Sequence, residues 1–346
     1  MNGPPAPVHV PVMRAEILEL LTPPLLRTGA PAAVLVDLTL GLAGHLRSLL
    51  EATGPSPEGP NGPAPAIVES GALRTWRSGT PVAAVGIDRD PEALERAAVV
   101  LAGWAPAVRL VHATADQLPD VLSGLGLHGA DAVLADLGVS SLQLDSDRRG
   151  FSYSRDVGLD MRMDPTAALD AATVVNTYSV EELTRVLRAY GEERYARRIA
   201  DRIARARSVR PLTGTRELAD LVVLAYPSGP TTGGHPAKRT FQALRIEVNA
   251  ELSGLEQTMP AAIDALRPAG RLAGLAYHSG EDRIVKRALA AAARPDVPDG
   301  LPQILPGHGP RIRLLTRGAG RPGAAEVAAN PRAASARLRA AERLVA

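Results

Sequence analysis

The 346-residue chain has no cysteine, few aromatics (two Trp, six Tyr, two Phe) and lysine only at Lys238 and Lys286. Without cysteine there is no disulfide framework, thiolate metal site or cysteine nucleophile, and the seven histidines are too scattered to suggest a zinc cluster, so no metal is expected. No apolar run approaches the ~18 residues of a membrane span. Residues 1–13 lack the charged start and apolar core of a signal peptide, so a cytoplasmic protein with no membrane partner is expected. With so little lysine, nearly all of the 39 basic residues are arginine, and against 37 acidic ones the net charge is only +2. Overall electrostatics therefore argue neither for nor against a polyanionic partner, and local clustering has to decide. The abundance of Ala, Gly, Pro and Arg is read first as the mark of a GC-rich coding sequence. At 45% apolar residues the chain is long enough for one large domain or two ordinary ones.

What is present is an alternation of short apolar runs with helix-like stretches. A run from Ala33 closes on Asp37 and breaks into Gly41-Leu42-Ala43-Gly44-His45 before a helix from about Leu46. Val82 to Ile87 closes on Asp88, and Pro91 opens a helix to about Leu101. Val108 to Val111 and Asp131 to Asp136 read as further strands, the last running into Leu137-Gly138-Val139-Ser140-Ser141. Such alternation predicts βαβ units and a parallel sheet, an α/β fold whose ligands sit at the carboxyl ends of the strands. Asp37, Asp88 and Asp136 each close a strand at that edge. The next convincing strand, Arg271 to Tyr277, arrives far later than one crossover helix requires. The sheet-forming parts are accordingly expected at 1–141 and 235–346, with a small helical domain inserted at 142–234. Within that insert, helices are expected at Val180 to Ala189, Glu192 to Arg207 and Arg216 to Ala225. A single long helix is expected from about Lys238 to Thr258. Residues 53–81, crowded with Pro and Gly, are read as a loop-like, flexible excursion.

The glycine-containing loop at 41–45 lacks the GxGxxG of dinucleotide dehydrogenases and is a weak signal alone. Asp88 strengthens it, because an acid ending the second strand is placed to accept hydrogen bonds from both ribose hydroxyls of a nucleoside-bearing cofactor. Asp136 stands where a reacting group would meet that cofactor, although a strand-terminal Asp also commonly caps the following turn. Phe151 and Tyr153, a close aromatic pair in an Arg-rich loop, suit either stacking of an extruded base or packing between domains. The densest basic cluster includes Arg197, Arg198 and Arg202. It reads as a phosphate-binding face or as a solvated face laced with Glu192, Glu193 and Asp201. His278, before Ser279-Gly280-Glu281-Asp282, has the form of a helix cap at the substrate edge. A basic segment, Asn330 to Arg343, lies near the C-terminus.

The longest motifs carry a resemblance. They are Asp136 through Val139-Ser140-Ser141, Gln143-Leu144-Asp145, Arg149-Gly150-Phe151-Ser152, Leu159-Asp160-Met161-Arg162-Met163-Asp164, Tyr190-Gly191-Glu192-Glu193-Arg194 and His235-Pro236-Ala237. Arg239-Thr240-Phe241-Gln242-Ala243-Leu244-Arg245 with Asn249 and Glu251, and His278-Ser279 with Glu281-Asp282-Arg283, complete the set. Together they resemble the bacterial ribosomal RNA small subunit methyltransferase H family over nearly the whole chain. The resemblance implies a class I S-adenosylmethionine-dependent methyltransferase with a Rossmann-like sheet and an inserted helical domain. It also implies methylation of the exocyclic N4 of a cytidine in the decoding region of 16S rRNA, with 16S rRNA or the small ribosomal subunit as partner. Carried over by position, cofactor contacts fall on Ala43, Gly44, His45, Asp88, Ala115, Asp136 and Gln143. Asp136 is also the candidate catalytic acceptor, and Phe151, Tyr153, Arg197, Arg198, Arg202 and His278 are the candidate substrate contacts. The chain departs from the family pattern where Ala43 replaces a glycine and Ala115 an aromatic. An alanine at position 43 is unfavourable if that residue needs positive φ. Two other classes stay open: a nicotinamide-dependent oxidoreductase, which should show the missing GxGxxG, and a catalytically silent RNA-binding or assembly factor. The oligomeric state, a homodimer included, is not fixed by the sequence.

Overall fold

The computed structural model describes residues 10–27, 33–53, 62–69, 84–105, 107–140, 142–143, 148–227, 234–296 and 308–345. In chain order the described elements begin with α1 (Arg14–Leu25), β1 (Leu35–Asp37), α2 (Gly44–Thr53), β2 (Ile67–Glu69), β3 (Ala84–Asp88), α3 (Pro91–Val100), β4 (Val108–His112), α4 (Leu118–Gly124) and β5 (Ala130–Asp136). Five helices follow: α5 (Ala171–Thr177), α6 (Val180–Gly191), α7 (Ala196–Arg207), α8 (Thr215–Ala225) and α9 (Ala237–Val248). The chain returns through α10 (Glu251–Asp264), β6 (Leu266–Ala276), α11 (Ser279–Ala292), β7 (Ile312–Leu314), α12 (Ala324–Ala329) and β8 (Arg337–Arg343).

The chain divides into two compact units, one comprising residues 1–138 with 253–346 and the other residues 139–252. The first holds an eight-stranded sheet in the order β2-β4-β3-β1-β5-β6-β8-β7. The pairs from β2 to β6 are parallel, whereas β8 runs antiparallel to both β6 and β7. This is the expected Rossmann-like sheet. Its strand order reverses beside β1, so β3 and β5 flank the first strand and their carboxyl ends frame one crevice, the position at which such sheets take ligands. The central strands β1, β3 and β5 are largely apolar and buried because both faces are covered. Leu35, Leu110 and Leu134 pack on one side with Ile17 and Leu46, while Val36, Val85 and Val133 pack on the other with Leu118, Met259 and Leu289.

The second unit is helical, with Leu183, Leu187, Ile199, Ile203, Leu218 and Leu244 in its core. It begins three residues earlier, at 139, and ends later, at 252, than the 142–234 expected from the sequence. Helix α9, assigned to the sheet side of a 234/235 boundary, belongs to this unit. Gly191 helps explain the packing, since a Cβ there would lie 2.7 Å from the Arg239 carbonyl oxygen of α9. The single helix expected from Lys238 to Thr258 is instead two, α9 and α10. At the break the Asn249 side chain accepts from the Met163 N–H and donates to the carbonyls of Met161 and Arg245, while Ala250 takes φ 48°. Arg245 bridges the junction with two 2.8 Å bonds to Glu251. The helix expected from Glu192 starts at Ala196, because Glu192 is the left-handed cap that ends α6.

Most of the 53–81 excursion lies outside the described residues. Its described part nevertheless contains β2, paired in parallel with β4 at the sheet edge, so this portion is not loop throughout. His112 of β4 ties the edge together through Glu69 and the Arg89 carbonyl oxygen. Residues 228–233 and 297–307 also lie outside the described residues. Among the described residues no helix is long and apolar enough to cross a membrane.

Candidate active site

The three strand-closing acids converge at the carboxyl ends of β1, β3 and β5. Leu40 N–H bonds to the Ile87 carbonyl and Leu38 N–H to the Leu134 carbonyl, which holds the loop after β1 across both neighbouring strands. Within it Gly41 and Ala43 both take left-handed backbone, at φ 50° and 59°. Ala43 is therefore an L-residue in a conformation that glycine adopts more readily. It is fully buried and its N–H is taken by the Leu40 carbonyl. The next residue, Gly44, opens α2 where a Cβ would come 2.7 Å from Pro11 Cγ, so the close approach of residues 11 and 44 requires glycine.

Asp88 accepts from Gly41 N–H at 2.7 Å through Oδ2 and from Asp90 N–H at 2.9 Å through Oδ1. Each oxygen retains acceptor capacity, as a ribose diol requires. Burial holds this carboxyl above the ordinary carboxylate range, against the pull of those two N–H groups. Asp37, also buried, accepts from Thr39 N–H at 3.1 Å. Burial pushes its carboxyl up to about 8, opposed by the Thr39 N–H and reinforced by the charges of Asp136 and Asp88.

Asp136 is held from several directions. Its N–H donates to Thr39 Oγ1 at 2.7 Å, and its Oδ1 accepts from the Tyr277 hydroxyl at 2.8 Å. Its Oδ2 lies 3.6 Å from His45 Nε2 on α2, and the carboxylate remains 27% exposed, enough to meet a ligand. The register places Asp136 opposite Leu275, so Tyr277, two residues on, stands beside the end of β5. Burial, then the charge of Asp136 and their hydrogen bond, drive the Tyr277 phenol far above its ordinary range, so it remains a donor at all working pH values. The Tyr277 N–H is in turn bound by Glu281 Oε2 at 2.7 Å, which also accepts from His278 N–H. His278 caps α11, its Nδ1 accepting from Gly280 N–H at 3.2 Å, and a capping box with Glu281 completes the turn. Capping is thus the role this geometry assigns to His278. Ala115 opens the short turn of 3-10 helix after β4 and packs half-buried against the sheet core.

The remaining candidates lie in the helical unit. Gln143 is buried and braces its own turn, Oε1 accepting from Ser140 N–H at 3.1 Å. Phe151 needs correction as a base-stacking residue: it is 7% exposed and part of the helical core. Tyr153 is half-buried, one face stacked on His235. Arg197 and Arg198 are exposed and Arg202 half-buried. The basic face is more self-compensated than a phosphate cradle would be. Arg197 pairs with Glu181 at 2.9 Å and Asp201 at 3.3 Å, and Arg207 donates to the carbonyls of Val175 and Tyr178. The closing basic segment is likewise committed, because Arg337 and Arg339 of β8 both engage Asp282. Sequence reasoning did not single out Tyr277 or Thr39, and read Glu281 only as part of the helix cap; the signal for Tyr277 was its place at the end of the strand paired with β5.

The model of the MraW methylase family matches residues 75–344. The Ribosomal RNA small subunit methyltransferase H of Acidothermus cellulolyticus is 54% identical over 342 residues, covering 99% of this chain and 95% of that protein. The protein of the same description from Thermobifida fusca is 51% identical over 343 residues, with 99% and 95% covered. A solved rRNA methylase from Streptococcus thermophilus overlays with TM-score 0.37 and 10% identity, covering 96% of this chain and 94% of that one, a likeness too slight to bear on the assignment.

Proposed function

The chain belongs to the MraW methylase family, and from that premise we propose that it methylates the exocyclic N4 of a cytidine in the decoding region of 16S rRNA. S-adenosylmethionine is the cofactor, and when bound it supplies the methyl group from its sulfonium. The residues present fit such a group. Three buried or half-buried carboxylates at one sheet edge suit a ligand carrying positive charge, and Asp88 keeps lone pairs for a ribose. The loop from Gly41 to His45 would border the methionine portion, and Ala115 the adenine.

The observation that carries the chemical reading is Asp136, fixed by Thr39 and Tyr277 at the ligand crevice with Oδ2 facing His45. The lone pair of cytosine N4 is delocalised into the ring, which makes the amine a poor nucleophile. An anionic acceptor that engages one N–H returns electron density to nitrogen, and carboxylates are natural partners of that amine. Asp136 is the candidate for this acceptor, with the main-chain carbonyls of Leu137 and Gly138 beside it. As the nitrogen–carbon bond forms and the carbon–sulfur bond breaks, the displaced N4 proton passes to the carboxylate or to water. Positioning supplies the rest of the rate. Because the base must leave its stack to react, the helical unit is assigned to RNA binding, with Arg198 and Arg202 as candidate phosphate contacts. The protein is assigned to the cytoplasm, with the small ribosomal subunit as its partner.

A silent RNA-binding factor is the second reading, motivated by Ala43 and Ala115. Ala43 nonetheless keeps the positive φ of a glycine, so the loop conformation does not require loss of the cofactor. The test is to incubate unmodified small subunits with the protein and S-adenosylmethionine, digest the RNA and separate its nucleosides. N4-methylcytidine is expected; a different methylated nucleoside would overturn the N4 assignment, and none at all would favour the silent factor.

A further inference from the structure

The helical unit contains an aromatic column running from its core to its surface, in a chain with only 3% aromatic residues. Phe241 of α9, 4% exposed, is its inner member. Tyr153 meets Phe241 edge-on, with ring centroids 5.8 Å apart and planes at 81°. His235 then lies flat on Tyr153, with centroids 4.6 Å apart and planes within 10°. His235 itself is exposed.

The His235 ring is fixed by more than this stack. Its Nδ1 accepts from Ala237 N–H at 3.2 Å, as the chain enters α9. The bond requires an unprotonated Nδ1, which leaves Nε2 as the N–H of the neutral ring. The exposed ring is therefore held by Tyr153 against one face and by the backbone at its edge. Lys238 and Arg239, three and four residues on, are both exposed, and Arg239 also reaches the Glu192 carbonyl oxygen. An oriented planar ring at the surface with cations beside it has the chemistry that single-stranded RNA uses: bases stack on aromatic side chains while cations take the phosphates. Preorganisation reduces the ordering cost that a free side chain would bring to binding.

We propose that the exposed face of His235 is a stacking platform for an unpaired base of the RNA substrate, with Lys238 taking an adjoining phosphate. The inference rests on the RNA-methylating reading above and transfers the stacking role from Phe151 and Tyr153 to the outermost ring of the column. Tyr153 and Phe241 act behind it as supports.

The test compares wild type, His235→Ala and His235→Phe for binding of a fluorescein-labelled single-stranded RNA of cytidine-containing sequence, read by anisotropy at fixed salt. Calorimetric binding of S-adenosylmethionine is measured in parallel. Loss of one stacking contact predicts about tenfold weaker RNA binding for His235→Ala, within the range that such contacts span. His235→Phe should recover to within about threefold of wild type, because it restores a flat ring without the imidazole. Cofactor affinity, read on folded protein, should stay within about twofold in both variants. RNA binding by His235→Ala equal to wild type, or by His235→Phe as weak as the alanine variant, would overturn the platform while leaving the methylation reading intact. Failure of the wild type to bind RNA would overturn both.

Discussion

The Tyr277 hydroxyl donates to Asp136 Oδ1 at 2.8 Å, joining the ends of β6 and β5 at the ligand crevice. The bond engages Oδ1, while Oδ2 lies on the His45 side, 3.6 Å from His45 Nε2. A donor aimed at a carboxylate favours its charged form. Tyr277→Phe should therefore move the acid limb of the methyl-transfer rate to higher pH. At pH 8 the rate should fall only a few-fold. An unmoved limb would show that Tyr277 packs beside Asp136 without tuning it.

Asp37 makes the folded state prefer a proton. Its ordinary value is 3.8 and its folded value about 8. Between these limits the native protein binds more protons at this site than the unfolded chain, so its contribution to stability falls as pH rises from about 4 to about 8. Asp37→Asn keeps an acceptor for Thr39 N–H and removes the charge. It should raise the melting temperature at pH 8 by several degrees and change it little at pH 4. Identical pH profiles for variant and wild type would refute the assignment.

Ala43 sets two effects of similar size against each other. Replacing it with glycine relieves left-handed backbone strain of about 1–2 kcal/mol. The same change removes a fully buried methyl, worth about 0.8 kcal/mol, and frees the unfolded chain by a further ~0.4–1 kcal/mol. Ala43→Gly should consequently shift the denaturation midpoint only marginally, by less than about 1 kcal/mol. A larger loss would mean that the methyl packs better than its area implies.

Asp88 is the crevice residue proposed to hold the ribose. Asp88→Ala removes the acceptor for Gly41 N–H as well as the proposed ribose contacts, so calorimetry should show S-adenosylmethionine bound at least tenfold more weakly. Affinity within threefold of wild type would remove Asp88 from the site.

The sheet edge was legible in the sequence because apolar runs ending in Asp37, Asp88 and Asp136 announce strand ends directly, and a parallel sheet brings such ends together. What escaped was contact between distant segments. Nothing local at Tyr277 says that its hydroxyl meets Asp136, 141 residues away. The break between α9 and α10 was hidden because the apolar pattern continues through it, while its cause, the Asn249 side chain bound to the Met161–Met163 segment, is tertiary. Strand β2 spans three residues, too few for a period to register. Phe151 looked available for stacking because its loop is Arg-rich; the helical core that covers it comes from helices later in the chain.

Single-turnover methyl transfer by Asp136→Asn, at saturating S-adenosylmethionine and with small-subunit RNA in its reactive form, tests the central claim most directly. The substitution keeps the shape and an acceptor for Tyr277 while removing the negative charge offered to N4. A role as the N4 acceptor predicts a rate at least a hundredfold below wild type, about 2.7 kcal/mol of transition-state stabilisation, that more cofactor does not restore. Recovery of the full rate at high cofactor concentration would contradict the account and leave Asp136 as a cofactor-binding residue only.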